Sequence, residues 1–453
     1  MKKLVKTLKN IWSIDELRSK IIVTLLFILV YRLGSHIVLP GIDPNKLANL
    51  DNSTKGGMLG LLDAFVGGAF SKASIFALGI MPYISASIFM QLMTILVPQL
   101  KKVQSEGESG RKKINQWTRY LTVIVTVFQA GAYVAYLTAP QGGYAQAIML
   151  QGVLFTFTTV ITLTAGTLFV MWLGERIQDN GLGNGTSIII MVGILARFPQ
   201  SLIQEFTAKS QKAGGGLLIF LIEVFILIAI TMSLILLVQG LRKIPLSYAK
   251  QIVGSRNLDL SGSRQFLPVK VNSAGVMPII FAQAIMFLPT LVSFTNIDSA
   301  KGISRIFNDH SNIWYMIIYA IMVIGFTFLY TALIFNPNQI SEDLKRSNGF
   351  IPGVKPGQPT ADYIGTIMDR VTLPGAIFLA FVGIMPGLAQ RLGATAQFST
   401  FFGGTSLLIM VGVILDTLQQ VETHLLMKKY DGLMNSGRIQ GRQSSAPIST
   451  TII

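Results

Sequence analysis

The chain has 453 residues, of which 51% are hydrophobic and 13% charged, and its mean hydropathy is +0.56. Apolar runs of about 18 or more residues recur along its whole length, the pattern of a polytopic membrane protein and not of soluble domains. The absence of cysteine excludes disulfides, thiolate catalysis and cysteine metal sites. At this composition a net charge of +16 indicates basic cytoplasmic loops that hold the topology, not a nucleic-acid-binding domain.

Residues 1–20 predict an amphipathic helix. Leu4, Leu8 and Ile11 recur at helical spacing, with lysines between them. Such a helix is expected to lie along the cytoplasmic membrane surface, with its charges near anionic headgroups. The apolar segment that follows has no small-residue cleavage pattern, so we interpret it as a retained transmembrane helix and not a signal peptide.

Ten apolar segments are each predicted to cross the membrane as a helix. They are 21–40, 74–97, 119–139, 152–173, 186–205, 216–239, 272–294, 313–335, 373–392 and 401–422. An even number of crossings puts both termini on one side of the membrane. Lys and Arg are about three times as frequent in the loops on that side as in the loops opposite, so both termini are predicted to be cytoplasmic.

The ten segments divide into two sets of five. The first half is 21–205, the second half is 206–422, and 423–453 is a cytoplasmic tail. Because five is odd, the second half enters the membrane in the opposite orientation. The predicted fold class is therefore an all-α membrane protein of two inverted five-helix halves, which places the functional site near the bilayer midplane between them.

Segments two and seven, which correspond across the halves, both contain the sequence Gly-x-Met-Pro. The two copies are Gly79 to Pro82 and Gly275 to Pro278. Proline inside a helix removes a backbone hydrogen bond, so each copy predicts a break in its segment. A third copy, Gly383 to Pro386, lies near the end of segment nine, where it is predicted to terminate a helix.

Residues 56–72, which precede segment two, are moderately apolar and rich in glycine. They are too short and too interrupted to span the membrane. One interpretation is an amphipathic turn on the outer surface. The other is a short re-entrant helix, which a membrane permits only where protein or a cavity shields the backbone.

Six stretches in order resemble the SecY family, the central subunit of the protein-conducting channel. They are DELRSKI to YRLGSHIVLPGID (15–43), FVGGAFSKASIFALGIMPYISASIFMQL (65–92), GERIQDNGLGNGTSIII (174–190), LPVKVNSAGVMPIIFA (267–282), NPNQISEDLKRSNGFIPGVKPGQPTADYI (336–364) and FFGGTSLLIMVGVILDTLQQVET (401–423). Together they cover nearly the whole chain. The resemblance implies a bacterial-type channel subunit with a central pore between its two halves.

The resemblance further implies an apolar ring at the waist of the pore and a plug helix, about 58–70, that seals it from outside. The ring positions are Ile80, Ile84, Thr186, Ile190, Met277 and Ile409, and the apolar plug positions are Met58, Leu61, Leu62, Phe65 and Phe70. A narrow aliphatic ring repels water and ions and can still yield to a passing peptide. Thr186 and Met277 depart from the all-isoleucine ring that is usual in the family.

In this family the channel also opens sideways between segments two and seven, so that Gly79, Pro82, Gly275 and Pro278 become candidate breaks in the gate helices. The long cytoplasmic loops 240–271 and 336–372 are implied to dock the ribosome, through its RNA phosphates, and the motor ATPase SecA. Their candidate docking residues are Arg242, Lys243, Lys250, Arg256, Arg264, Lys345, Arg346 and Lys355. The other implied partners are SecE, SecG, signal peptides, nascent chains and membrane lipid, and the implied location is the bacterial inner membrane.

Two other function classes are weaker. A coupled transporter needs ionisable residues at the midplane, and only Arg32, Glu223 and Asp416 come into question, of which Glu223 is the strongest. A membrane enzyme lacks support, because the sequence has neither an HExxH motif nor a Walker A loop. We therefore predict no catalytic residues, no metal and no cofactor, so the energy for transport comes from partners or from the membrane potential.

Overall fold

The computed structural model describes residues 14–48, 65–138, 147–149, 152–211, 215–248, 265–292 and 312–435, together with Trp12 and Asp63. Of the predicted amphipathic helix at 1–20, residues 1–11 and 13 lie outside the described residues. The last residues of that stretch, from Asp15, form the start of the first helix.

The described residues of the first half, with those just before it, form seven helices. They are α1 (Asp15–Gly34), α2 (Pro44–Ala48), α3 (Met81–Leu96), α4 (Pro98–Ser105), α5 (Glu108–Thr138), α6 (Val153–Asn180) and α7 (Gly185–Ser210). Val97 is extended and Pro98 begins the next helix, so that α3 and α4 meet at a bend of 104°. Asn184 caps α7, because its side-chain oxygen accepts hydrogen bonds from the amides of Thr186 and Ser187.

The second half has the same helical character with one small sheet. Its elements are α8 (Gly216–Gln239), β1 (Leu241–Tyr248), β2 (Gln265–Lys270), α9 (Met277–Val292), α10 (Ile313–Ile334), α11 (Pro337–Arg346), β3 (Gly349–Phe350), α12 (Gln358–Arg391), α13 (Ala396–Ser399) and α14 (Gly404–Asn435). Matched pairs pack in both halves, since α3 lies against α5 as α9 lies against α10.

Seven helices in the described part of the chain are long and apolar enough to cross a membrane, and the bent pair α3 and α4 makes an eighth if it is counted as one span. They correspond to predicted segments two to six and eight to ten. Segments one and seven also fold as helices: α1 carries several charges, and α9 is described over 16 residues, up to the last described residue of that stretch, Val292. All ten predicted segments thus contain a helix.

Helix α12 contains predicted segment nine but begins earlier, at Gln358. Its positions before residue 373 include Ile364 and Met368, which pack in a small buried core with the strands. Helix α12 also continues through Pro386 to Arg391, so the prediction that the third Gly-x-Met-Pro terminates a helix is wrong. Flanking helices bury most of this stretch, including Val382 and Gly383, and hold it helical despite the proline.

The described parts of the two long loops 240–271 and 336–372 meet in a sheet of order β2-β1-β3, which the sequence analysis did not predict. Strand β1 from the first loop pairs antiparallel with β2 and, at Ser247 and Tyr248, with β3 of the second loop. Ile244 and Leu246 alternate into a buried core shared with Leu344 of α11. Loops 240–271 and 336–372 therefore share one folded unit at the base of α8, α9 and α12.

Candidate pore, plug seat and gate helices

Three of the predicted ring isoleucines meet in one buried apolar cluster. Ile80 precedes α3, Ile190 lies in α7 and Ile409 in α14, and all three are at most 7% exposed. Ile84 packs against the same cluster from the next turn of α3. We call the whole buried cluster that contains these isoleucines the ring cluster. Because it draws on α3 and α7 of one half and α14 of the other, it lies between the halves.

The other two ring positions are less enclosed. Thr186 is half-buried beside Ile80: a Cβ built on Gly174 of α6 would lie 3.3 Å from Thr186 Cγ2 and 3.5 Å from Ile80 Cδ1. Met277 is half-buried at the first position of α9, and its neighbour Val276 packs against the ring cluster. The role of these two side chains in the ring stays a prediction.

Part of the predicted plug packs against the ring. Phe65, Val66 and Ala69 are buried members of the ring cluster. Phe70 instead packs in a separate cluster, where its ring lies 4.7 Å from that of Tyr133 and its carbonyl accepts a hydrogen bond of 2.7 Å from the Tyr133 hydroxyl. Met58, Leu61 and Leu62 lie outside the described residues.

Polar contacts fix this same stretch to two helices. Asp63, 1% exposed, forms an ion pair with Arg197 of α7, and its carboxylate also accepts a hydrogen bond of 2.9 Å from the Ser71 amide. The Arg197 guanidinium donates to Ser71 Oγ at 2.9 Å. From α1, Arg32 Nη1 donates to the Gly67 carbonyl at 3.3 Å.

Close backbone approach explains the glycines of this region. A Cβ on Gly193 of α7 would lie 2.5 Å from the Phe65 carbonyl oxygen, and one on Gly68 would lie 2.9 Å from Arg197 Nη2. Gly67 and Gly68 also have φ values of +68° and +90°, which disfavour other residues. Only glycine therefore lets the segment sit this close to α7 and its arginine.

The sequence analysis missed Asp63 and Arg197, and it considered Arg32 only as one of three candidates for a transporter's coupling site. The signal was present, because an ionisable residue in an apolar segment points to function by default. Arg197 lies in segment five, and Asp63 is the only acidic residue of 56–72.

The two gate candidates begin in the same way. Gly79 and Gly275 have φ values of +52° and +65°, and each helix starts two residues later, at Met81 and Met277. The first helical hydrogen bonds also correspond, from the Ile84 amide to the Ile80 carbonyl (3.1 Å) and from the Ile280 amide to the Val276 carbonyl (3.4 Å).

This local geometry corrects the reading of the two prolines as breaks inside helices. Pro82 and Pro278 lie in the first turns of α3 and α9, where a missing N–H costs no helical hydrogen bond. The helices begin at these sites because a left-handed glycine cannot continue a right-handed helix and proline favours its first turn.

The described docking candidates are all exposed on the three-stranded sheet and its neighbouring turns. Arg242 and Lys243 lie on β1, Lys345 and Arg346 in the last turn of α11, and Lys355 in the turn after β3. Arg346 makes only a long contact of 3.9 Å with Glu342. Lys250, Arg256 and Arg264 lie outside the described residues.

Glu223, on which a transporter hypothesis depends, is held in a buried ionic group. Lys209 Nζ lies 2.8 Å from Glu223 Oε1 and 3.5 Å from Glu205 Oε1, and it donates to the Gly393 carbonyl at 3.0 Å. Glu205 also accepts from the Thr395 amide at 2.8 Å. The group joins α7, α8 and the turn after α12, which is the arrangement of a structural tie between the halves.

In the part of the chain that the structure describes, no three His, Asp or Glu side chains come together as metal ligands. The contacts that the described arrangement offers are apolar packing in the ring cluster and charge pairing at Asp63 and Arg197. Its parts are the ring cluster, the plug segment seated on α7 and two similarly built gate helices.

Comparison with known proteins identifies this arrangement. The sequence profile of the SecY family matches residues 74–418. The protein translocase subunit SecY of Aquifex aeolicus is 41% identical over 428 residues, which are 93% of this chain and 98% of that protein. The chain belongs to the SecY family. It is thus a channel subunit of a protein translocase embedded in a membrane, and not an enzyme.

Solved structures agree on the SecY fold. A SecY structure reported for the role of its plug domain superposes with a TM-score of 0.57 at 17% identity, covering 90% of this chain and 92% of that one. Canine Sec61 from a ribosome-channel complex gives a TM-score of 0.55 at 17% identity, with the same coverage of both chains. At this identity the likeness establishes the fold: a helical channel of two halves around a central pore.

Proposed function

We propose that the protein conducts unfolded secretory polypeptides across the bacterial cytoplasmic membrane, through a pore whose waist is the ring cluster. The observation that carries this proposal is the packing of Ile80, Ile190 and Ile409 with Phe65 and Val66. An aliphatic constriction filled by apolar plug side chains excludes water and ions by dewetting. We infer that this packed arrangement is the resting, sealed state of the channel.

A polypeptide needs more room than the packed ring offers, so the plug segment must leave before a chain passes. Besides its isoleucines, the predicted ring includes Met277, whose flexible thioether side chain adapts to varied substrates. No ring residue carries a charge, so passing side chains meet no fixed ionic site. The lining therefore suits a conduit for many sequences and not a selective small-solute site.

Lateral release into lipid is the second part of the proposal. Helices α3 and α9 correspond across the two halves and begin at the level of the ring cluster, where Ile80 and Val276 pack. Separation of these two helices would join the pore to the bilayer. Signal peptides and apolar segments of nascent chains would then partition into lipid by the hydrophobic effect.

The exposed basic residues of the cytoplasmic unit support docking of partners that supply the chain and the energy. Phosphates of ribosomal RNA suit Arg242, Lys243, Lys345, Arg346 and Lys355, and the SecA ATPase would use the same face. The related Sec61 was solved in a ribosome-channel complex. SecE and SecG complete the proposed assembly, with both termini of this subunit in the cytoplasm, as the loop charges require.

Conductance of the reconstituted channel tests the proposal. Deletion of 58–70 is expected to raise resting ion leak at least about tenfold while secretory polypeptides are still translocated, because the ring alone would seal less well. A variant with a Gly/Ser linker of equal length in place of 58–70 controls for the shortened loop and should leak equally. An unchanged leak in both variants would refute the plug assignment.

A further inference from the structure

The contacts of residues 63–71 point to the residues that set the strength of the seal. We propose that Asp63 and Arg197 form a latch whose ion pair holds the plug segment closed against α7 and whose rupture releases it. This inference rests on the proposed function, since it takes 63–71 to be the inner part of the plug. It adds which contact the channel must break in order to open.

The geometry places one guanidinium across both ends of the segment. Arg197 pairs with the Asp63 carboxylate and donates to Ser71 Oγ at 2.9 Å. Asp63 in turn accepts from the Ser71 amide at 2.9 Å, and its own carbonyl accepts from the Gly68 amide at 2.9 Å. The segment is thus closed into a compact loop whose two ends share the same cation.

Few side chains of this segment pack on the ring cluster. Within 63–71, Gly67, Gly68 and Ala69 bury little side-chain area, and Phe70 packs toward Tyr133, away from the ring cluster. Of the described side chains, Phe65 and Val66 provide the large apolar contacts with the ring cluster. The apolar hold therefore rests on two side chains, and the loss of either partner of the ion pair would oppose it by leaving an uncompensated charge.

A charge pair at this site suits a contact that must also open. The gain from a buried ion pair is largely offset by the loss of hydration, so the closed state is held without being made irreversible. Arg197 is 18% exposed and can be reached by water, whereas Asp63 is almost fully enclosed. When the segment moves into an open vestibule the carboxylate regains water, so both ends of the broken latch are solvated.

Removing only one partner has a different consequence. If Arg197 is lost, the Asp63 carboxylate is left buried without its cation, and this drives the segment outward. If both are lost, the buried charge is gone and the apolar contacts of Phe65 and Val66 remain. A latch therefore predicts that the double variant is sealed better than the single one, whereas an arginine that serves only as packing predicts the reverse.

The test uses the absence of native cysteine. A single cysteine at Val66, which is 3% exposed, reports plug displacement through its rate of reaction with a membrane-impermeant maleimide in proteoliposomes. In that one background, Arg197→Ala is expected to raise both labelling rate and resting leak about tenfold, with Asp63→Ala/Arg197→Ala in between. Arg197→Lys keeps the charge but loses the guanidinium fork, so it should leak less than Arg197→Ala and more than the parent. Arg119→Ala, which removes an exposed ion pair with Glu175 on α6, is the matched control and should change neither.

The outcomes separate the latch from the plug itself. Equal labelling and leak in Arg197→Ala and Arg119→Ala would overturn the latch, and so would a double variant that leaks more than Arg197→Ala. If deletion of 58–70 leaks and Arg197→Ala does not, the plug stands and the latch fails. If the deletion does not leak but Val66 labelling still rises in Arg197→Ala, the latch holds the segment and the sealing function is wrong.

Discussion

The two gate helices begin with the same backbone geometry in different surroundings. At the start of α3, a Cβ added to Gly79 would lie 3.0 Å from Val66 Cγ1, and the next residue, Ile80, is 4% exposed. At the start of α9, a Cβ added to Gly275 would meet no atom of the described residues within 4 Å, and Val276 and Met277 are half-buried.

This difference separates what the repeated sequence determines from what its neighbours determine. Glycine followed two residues later by Met-Pro sets the conformation, a left-handed residue and then a helix start. The neighbours set the packing, and among the described residues Val66 of the plug segment lies against Gly79 at the start of α3. Because the first start is held and the second is open, we expect α9 to be the gate helix that moves more readily while the plug is seated.

The largest expected effect comes from removing the close contact between α7 and the plug segment. Gly193→Ala places a methyl group 2.5 Å from the Phe65 carbonyl oxygen, a backbone atom that a side-chain rotation cannot move aside. We expect the plug segment to shift outward, the start of α3 to become as open as that of α9, and the resting leak to rise about tenfold, since overpacking of this kind costs about 1–3 kcal/mol. Conductance in proteoliposomes measures it.

Gly325→Ala is the matched control for that substitution. Gly325 lies in the middle of α10, where an added Cβ would meet none of the described atoms within 4 Å. Alanine there gains helix propensity of about 1 kcal/mol with no steric cost, so thermal stability should rise slightly and leak should not change. If Gly193→Ala leaks no more than the wild type, the starts of α3 and α9 differ for a reason other than the contact of the plug segment with α7.

A smaller effect distinguishes the two glycines directly. Gly79→Ala and Gly275→Ala both force alanine into the left-handed region, at a cost of about 1 kcal/mol each. Only Gly79→Ala also presses on Val66, so it should lower the denaturation temperature further and raise the leak, whereas Gly275→Ala should affect stability alone. Equal changes in stability and leak for the two variants would contradict the proposed difference between the starts of α3 and α9.

Much of this fold is predictable from the sequence because the membrane restricts the choices. A long apolar run without partners for its backbone must become a helix, so all ten segments could be located and the halves could be paired by count. The ring isoleucines Ile80, Ile190 and Ile409 were named through resemblance, and the structure places them in one cluster. Periodicity alone would not have separated them from ordinary helix packing.

The remainder depends on contacts between distant residues. Asp63 and Arg197 lie far apart in sequence, and nothing in either segment specifies that they pair. The strands β1 and β3 come from separate loops, so the sequence did not indicate their pairing either. Tertiary context also decided the third Gly-x-Met-Pro, which α12 absorbs as part of a continuous helix while the first two copies begin helices.

The smallest expected effect concerns the prolines. As flexible joints inside helices, Pro82 and Pro278 would matter for gating, and replacing either would stiffen its helix and slow lateral opening. As first-turn residues they remove no helical hydrogen bond, so Pro82→Ala and Pro278→Ala should each cost less than about 1 kcal/mol, mainly through lost packing and a more flexible unfolded chain.

We expect leak and the rate of signal-peptide-dependent translocation to stay within about twofold of wild type for both. A large loss of translocation in either variant, with unchanged thermal stability, would restore the joint interpretation for that helix, and a loss in Pro278→Ala alone would support the idea that α9 is the helix that moves.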